Sequence, residues 1–96
     1  MRTTYIVSYD VREPKRLRKV FETCKKFGAH LQLSVFECDL TDADRIKFER
    51  ALHEIINHEH DQVLFIELGP TASRGQRTIT SLGVAYSRID SACYVV

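Results

Sequence analysis

A carboxylate at Asp10, cations at Arg12, Lys15, Arg16, Arg18 and Lys19, and aromatic rings at Tyr9 and Phe36 are the chemistry-bearing residues of this 96-residue chain. Asp10 closes the apolar run Tyr5-Ile6-Val7-Ser8-Tyr9, where a first strand would emerge into a loop. A hard cation such as magnesium takes about six oxygen ligands, commonly one or two carboxylates with water and phosphate completing the set. One Asp per chain is too few for a tight site. Two Asp10 side chains related by a two-fold axis would make a weak, shared Mg2+ site that the substrate completes. The plainer alternative is a solvated strand-end Asp that shapes a turn. A metal held at Asp10 would neutralise charge developing on a scissile phosphodiester. None of His30, Glu37 or Asp39 is placed by sequence as a proton acceptor beside it, so such hydrolysis would be slow.

The cations that follow Asp10 suit phosphate, which Arg binds through two parallel hydrogen bonds. Pro14 opens their segment, and a helix start itself attracts phosphate. The competing reading is an ordinary solvated helix face. Tyr9 and Phe36 are candidates to stack on bases, although a strand aromatic more often belongs to the core. Asn57-His58-Glu59-His60-Asp61 lacks the spacing of a zinc helix motif and reads as a polar helix terminus. No phosphate-cradling Gly loop is recognisable, nor a Ser or Cys nucleophile with a paired His.

The elements that must position these groups are legible in the periodicities. Residues 14–27 place Leu17, Val20, Phe21, Cys24 and Phe27 on one helical stripe, which leaves Lys15, Arg16, Arg18, Lys19, Lys25 and Lys26 available to solvent, and Gly28 stops the helix. From residue 29 the period becomes two, with Leu31, Leu33 and Val35 on one face and His30, Gln32 and Ser34 on the other. The apolar phase then slips to Phe36, Cys38 and Leu40, which calls for a bulge or sharp bend near Val35-Phe36. The segment to residue 40 is thus a bent single strand or a hairpin pair. Thr41 or Asp42 caps a second helix with Ile46, Phe48, Ala51, Leu52, Ile55 and Ile56 on its apolar face. Residues 61–68 read as a continuously apolar, interior strand. Residues 69–77 read as loop, residues 78–82 as a short strand and residues 92–96 as a terminal strand. This order specifies an α+β, ferredoxin-like sandwich of two helices on one antiparallel sheet.

Length and composition narrow the class. Ninety-six residues make a single domain, spanning 1–96, whose modest core favours a homodimer. Cys24, Cys38 and Cys93 have neither an even count nor a close pair, so reduced, buried thiols are expected. No run approaches the roughly 20 apolar residues of a membrane span. Met1 leads directly into a strand rather than a basic and apolar leader, and a cytoplasmic protein is expected. The net charge is only +1, but residues 1–26 hold eight Lys or Arg against three acids while residues 37–67 hold nine acids against three bases. A polyanion would contact only the basic part.

Taken together, Tyr5-Ile6-Val7-Ser8-Tyr9-Asp10-Val11, the Arg16-Leu17-Arg18-Lys19-Val20 helix, Gly28 and Gln32-Leu33-Ser34-Val35-Phe36-Glu37 resemble the CRISPR-associated protein 2 family. The likeness is close over residues 5–37, holds by pattern over 38–68 and fades after Gly69. It implies a ferredoxin-like homodimer that bridges the CRISPR-associated protein 1 integrase during spacer acquisition, with duplex DNA lying across it. It also implies magnesium-dependent endonuclease activity in some members, on single-stranded RNA or double-stranded DNA, with the Asp matching Asp10 as metal ligand and catalytic residue. Tyr9, Arg16, Arg18 and Phe36 match positions associated with that site. His30 stands where members commonly carry Arg, so a permanent cation is replaced by a titratable one. The family's final strand pairs across the dimer, so residues 69–96 are expected to be exchanged with, or packed on, the partner and to dock the integrase. The expectation is therefore a DNA-holding adaptor, with an endonuclease as second hypothesis and a ferredoxin-like interaction or ligand-sensing module without nucleic acid as third.

Overall fold

The computed structural model describes residues 1–74 and 79–84 of the chain. Strand β1 (Thr3–Asp10) is followed by helix α1 (Pro14–Phe27), strands β2 (Ala29–Gln32) and β3 (Val35–Leu40), helix α2 (Asp42–Ile55), strand β4 (Gln62–Pro70) and a single turn, α3 (Thr71–Arg74). The four strands form one sheet in the order β2-β3-β1-β4, with every pairing antiparallel. This is the expected ferredoxin-like sandwich.

Alternation along β1 divides the sheet into two faces. Tyr5, Val7 and Tyr9 point toward the helices and join Val11, Val20, Phe21, Cys24, Phe36, Cys38, Leu40, Phe48 and Leu52 in the core. Helix α1 buries Val20, Phe21 and Cys24, and α2 buries Phe48 and Leu52. The expected apolar face of α2 is thus narrower than its composition, since Ile46 is exposed. Thr41 caps α2, its Oγ1 accepting from Asp44 N at 3.1 Å. Cys24 and Cys38 are buried free thiols, as expected, and Cys93 lies outside the described residues.

The segment after α1 is a hairpin, with a two-residue turn at Leu33-Ser34. Its register slips on β2 between His30 and Gln32, which oppose Phe36 and Val35, so the expected irregularity near Val35-Phe36 is present, with the extra residue on the facing strand. The turn and the slip together reset the inward row. His30 therefore points into the core while Leu33 is exposed, the reverse of the expected faces. Gly28 ends α1 with extended backbone, so a left-handed cap is not what requires glycine there. A Cβ at this position would collide with Cys38 Sγ and lie 2.5 Å from Glu37 O, so glycine lets the helix end press against β3.

Among the described residues β4 lies at an edge of the sheet rather than in its interior. Val63 and Phe65 pack on the core, whereas Leu64 and Ile66 remain 46% and 47% exposed on the helix-free face. Its unbroken apolar run thus serves two surfaces. The strand also runs past the expected boundary, through Gly69 and Pro70, and α3 replaces the first part of the expected loop. Gly69 takes φ 111° where the β1 register shifts between Thr4 and Tyr5, a conformation that favours glycine. No strand forms over residues 79–82, while residue 78 and the expected terminal strand, 92–96, lie outside the described residues.

Candidate nucleic-acid interface and metal site

Asp10 is the last residue of β1 and, by alternation, belongs to the outward row with Ile6 and Ser8. Across the β1–β4 ladder these three face Gln62, Ile66 and Leu64 respectively. The carboxylate is therefore at the rim of the helix-free face that carries the exposed Leu64 and Ile66. Its side chain is 69% exposed, and its ion pair with Arg12 is long, at 3.8 Å. Among the described residues no cluster of three or more His, Cys, Asp or Glu side chains stands ready for a metal. Among the described residues the donor at this point is thus the single Asp10 carboxylate, which fits half of a weak magnesium site that a second carboxylate and a substrate phosphate would complete.

Glu13 caps α1. Its carboxylate accepts from Arg16 N at 2.9 Å and Lys15 N at 3.2 Å, and these backbone donors, Arg16 first, hold its pKa below the usual carboxylate range. The helix start expected to attract phosphate is consequently occupied by the chain's own anion. A phosphate at this end of α1 would have to be met by side chains instead. Arg12, Lys15, Arg18, Lys19 and Lys26 are exposed. Lys25 is half-buried, with Nζ over the Phe21 ring at 5.5 Å.

Arg16 departs from the expected set of six solvent-available cations. Its Nε donates to Asp61 Oδ2 at 2.7 Å and its Nη2 to Oδ1 at 3.3 Å. Asp61 also accepts from Asn57 N at 2.8 Å, and its side chain is only 1% exposed. The hydrogen bond from Arg16 is the main cause of its lowered pKa. The expected polar helix terminus is in fact a turn over residues 57–60 beyond α2, and Asp61 is its inward-facing anchor. Sequence reasoning missed both Glu13 and Asp61. Glu13 carried a local signal, standing immediately before a Pro that opens a helix, but the pairing of Asp61 spans 45 residues and had none.

Tyr9 and Phe36 are brought together, although inside the protein. Their rings stack with centroids 6.3 Å apart, and Phe36 is also packed against Phe21 and His30. Phe36 is fully buried and Tyr9 nearly so, which corrects the base-stacking assignment because neither ring offers a free face. Burial raises the pKa of the Tyr9 phenol, whose OH donates to Leu33 O at 3.4 Å. The same carbonyl lies 3.1 Å from His30 Nε2, so that nitrogen carries the proton and donates. His30 thus pins the hairpin turn from within the core and is not on the surface where a phosphate-binding Arg would be needed.

A family model described as CRISPR associated protein Cas2 matches residues 2–74. The CRISPR-associated endoribonuclease Cas2 of Geobacter sulfurreducens is 45% identical over 89 residues, covering 93% of each chain. The CRISPR-associated endoribonuclease Cas2 1 of Rhodospirillum rubrum is 39% identical over 92 residues, covering 96% of this chain and 89% of that one. Among solved structures, Streptococcus pyogenes Cas2 at pH 6.5 superposes with a TM-score of 0.67 at 34% identity, covering 80% of this chain and 99% of the other.

Proposed function

Since this chain belongs to the CRISPR-associated Cas2 family, we propose that it is a cytoplasmic, dimeric adaptor that holds DNA by its phosphates and engages the CRISPR-associated protein 1 integrase during spacer acquisition. Magnesium-dependent cleavage of a phosphodiester in RNA or DNA is its second capacity, in keeping with relatives named endoribonuclease and, in one case, endonuclease. The observation that carries this reading is the juxtaposition at the end of β1. An exposed carboxylate at Asp10 lies on the helix-free face, and the exposed cations Arg12, Lys15, Arg18 and Lys19 follow directly.

Asp10 would hold the metal together with its counterpart in a second copy, and magnesium there would polarise a phosphodiester oxygen and neutralise its charge. Arg12 counterbalances Asp10 when no cation is near and turns to phosphate when one is, a step its loose 3.8 Å contact permits. Lys15, Arg18 and Lys19 fix the register of the polyanion through contacts that carry no base information. Among the described residues no buried base stands beside Asp10 to take a proton, since His30 donates to Leu33 O and Glu13 is tied to the helix start. With solvent as the acceptor, turnover would be slow.

Two variants test the reading. Arg18→Glu with Lys19→Glu should weaken duplex binding at low salt and flatten its salt dependence, because fewer counterions are released. Asp10→Asn should abolish magnesium-dependent cleavage while duplex binding persists. Unchanged duplex affinity in the first variant would remove the adaptor reading, and cleavage surviving in the second would remove Asp10 from catalysis.

A further inference from the structure

We propose that Arg16 and Asp61 are positioning residues that hold the loop from Asp10 to Glu13 in place without themselves touching nucleic acid. The loop's purpose rests on the function proposed above, but the brace itself stands on geometry alone. Asp61 immediately precedes Gln62, the cross-strand partner of Asp10. Arg16 grips Asp61 through two nitrogens and lies 3.7 Å from Glu13, which in turn caps the helix that Arg16 belongs to. A closed circuit results, running from Asp10 through Val11, Arg12 and Glu13 to Arg16, across to Asp61, and back through Gln62 to Asp10. The chemistry-bearing side chains, Asp10 and Arg12, are the loosely held members of this circuit, 69% and 91% exposed, whereas Asp61 is almost completely enclosed.

Arg16 cannot leave Asp61 for a phosphate cheaply. Departure would strand a carboxylate with Asn57 N as its remaining hydrogen-bond donor among the described residues, and an under-satisfied buried anion is costly. Arg18, two residues on, is exposed and carries no such commitment to Asp61. The two neighbouring arginines of α1 therefore divide the work, one gripping the fold and the other facing the polyanion.

The test measures duplex affinity against salt concentration together with amide hydrogen exchange of the nucleic-acid-free protein. Arg18→Ala should lower the slope of log affinity against log salt by about one, as loss of a phosphate contact does. Arg16→Gln and Asp61→Asn should leave that slope unchanged, weaken binding by the same factor, and show no further loss when combined. Without nucleic acid, both should speed exchange at Val11, Arg12 and Glu13 by about tenfold, with Tyr5 to Val7 in mid-strand unaffected. If Gln or Asn unfolds the protein, Arg16→Lys carries the same expectations, since it keeps the charge but cannot bridge both oxygens. A slope lowered by about one in Arg16→Gln would overturn the proposal, as would unaltered exchange in the loop. Faster loop exchange in a protein that binds no duplex would uphold the brace and remove the nucleic-acid reading instead.

Discussion

Exposure sorts the charged residues of this chain into those engaged by the fold and those left for a partner. Asp10 and Asp61 have the same side chain and nearly the same position relative to the sheet end, yet one is open to solvent and the other is enclosed by three donors. The enclosed one predicts a pH dependence. An ordinary Asp titrates near 3.8, and Arg16, followed by Asn57 N, holds Asp61 lower in the folded state. Within that interval the unfolded chain binds the proton first. The stabilisation is therefore fully present above the ordinary value and is lost as pH falls through the folded one. Asp61→Asn should accordingly have a lower urea midpoint than the parent at pH 6, with the gap closing as pH drops below 3.8. A gap that is constant with pH would show that the charge on Asp61 contributes nothing.

The elements are fixed by close approach as much as by propensity. Helix α1 begins at a Glu cap and Pro14, and its end is set by contact with β3, where Gly28 admits the Cys38 thiol. That thiol is pushed up to about 12, first by burial and then by Asp39 and Glu37, so it packs as an apolar group. Gly28→Ala should destabilise the protein by about 1–3 kcal/mol through overpacking. The urea midpoint should fall with no change in slope, since the surface exposed on unfolding is the same. An unaltered midpoint would mean that α1 and β3 separate easily at this point. The β2–β3 hairpin owes its orientation to similar contacts, with Leu33 O receiving hydrogen bonds from Tyr9 and His30 while the rings of Tyr9 and His30 stack on Phe36.

At the scale of the whole molecule, the two helices cover one face of the sheet and leave Leu64 and Ile66 on the other, with Asp10 at its rim. A second copy packed face to face would shelter these apolar groups and bring the two carboxylates toward one seam. If the proposed dimer forms through this face, Leu64→Lys with Ile66→Lys should yield monomers in sedimentation velocity and abolish the proposed magnesium-dependent cleavage, although Asp10 and the helix cations are untouched. Dimers that persist would place the pairing surface elsewhere. Among the described residues no helix is long and apolar enough to cross a membrane.

The sequence by itself determined the succession of a first strand, α1, an extended segment, α2 and β4, the start of α1 at Pro14, and the placement of Asp10 beside a run of cations, because these follow from interactions within a few residues. It also carried the family likeness, which rests on several short motifs in order. Tertiary structure alone decided that β4 lies at the edge of the described sheet, that His30 and Phe36 turn inward, and that Arg16 is held by Asp61. Each of those outcomes depends on which distant segment lies alongside, and burial and electrostatic pairing are properties of that proximity in space.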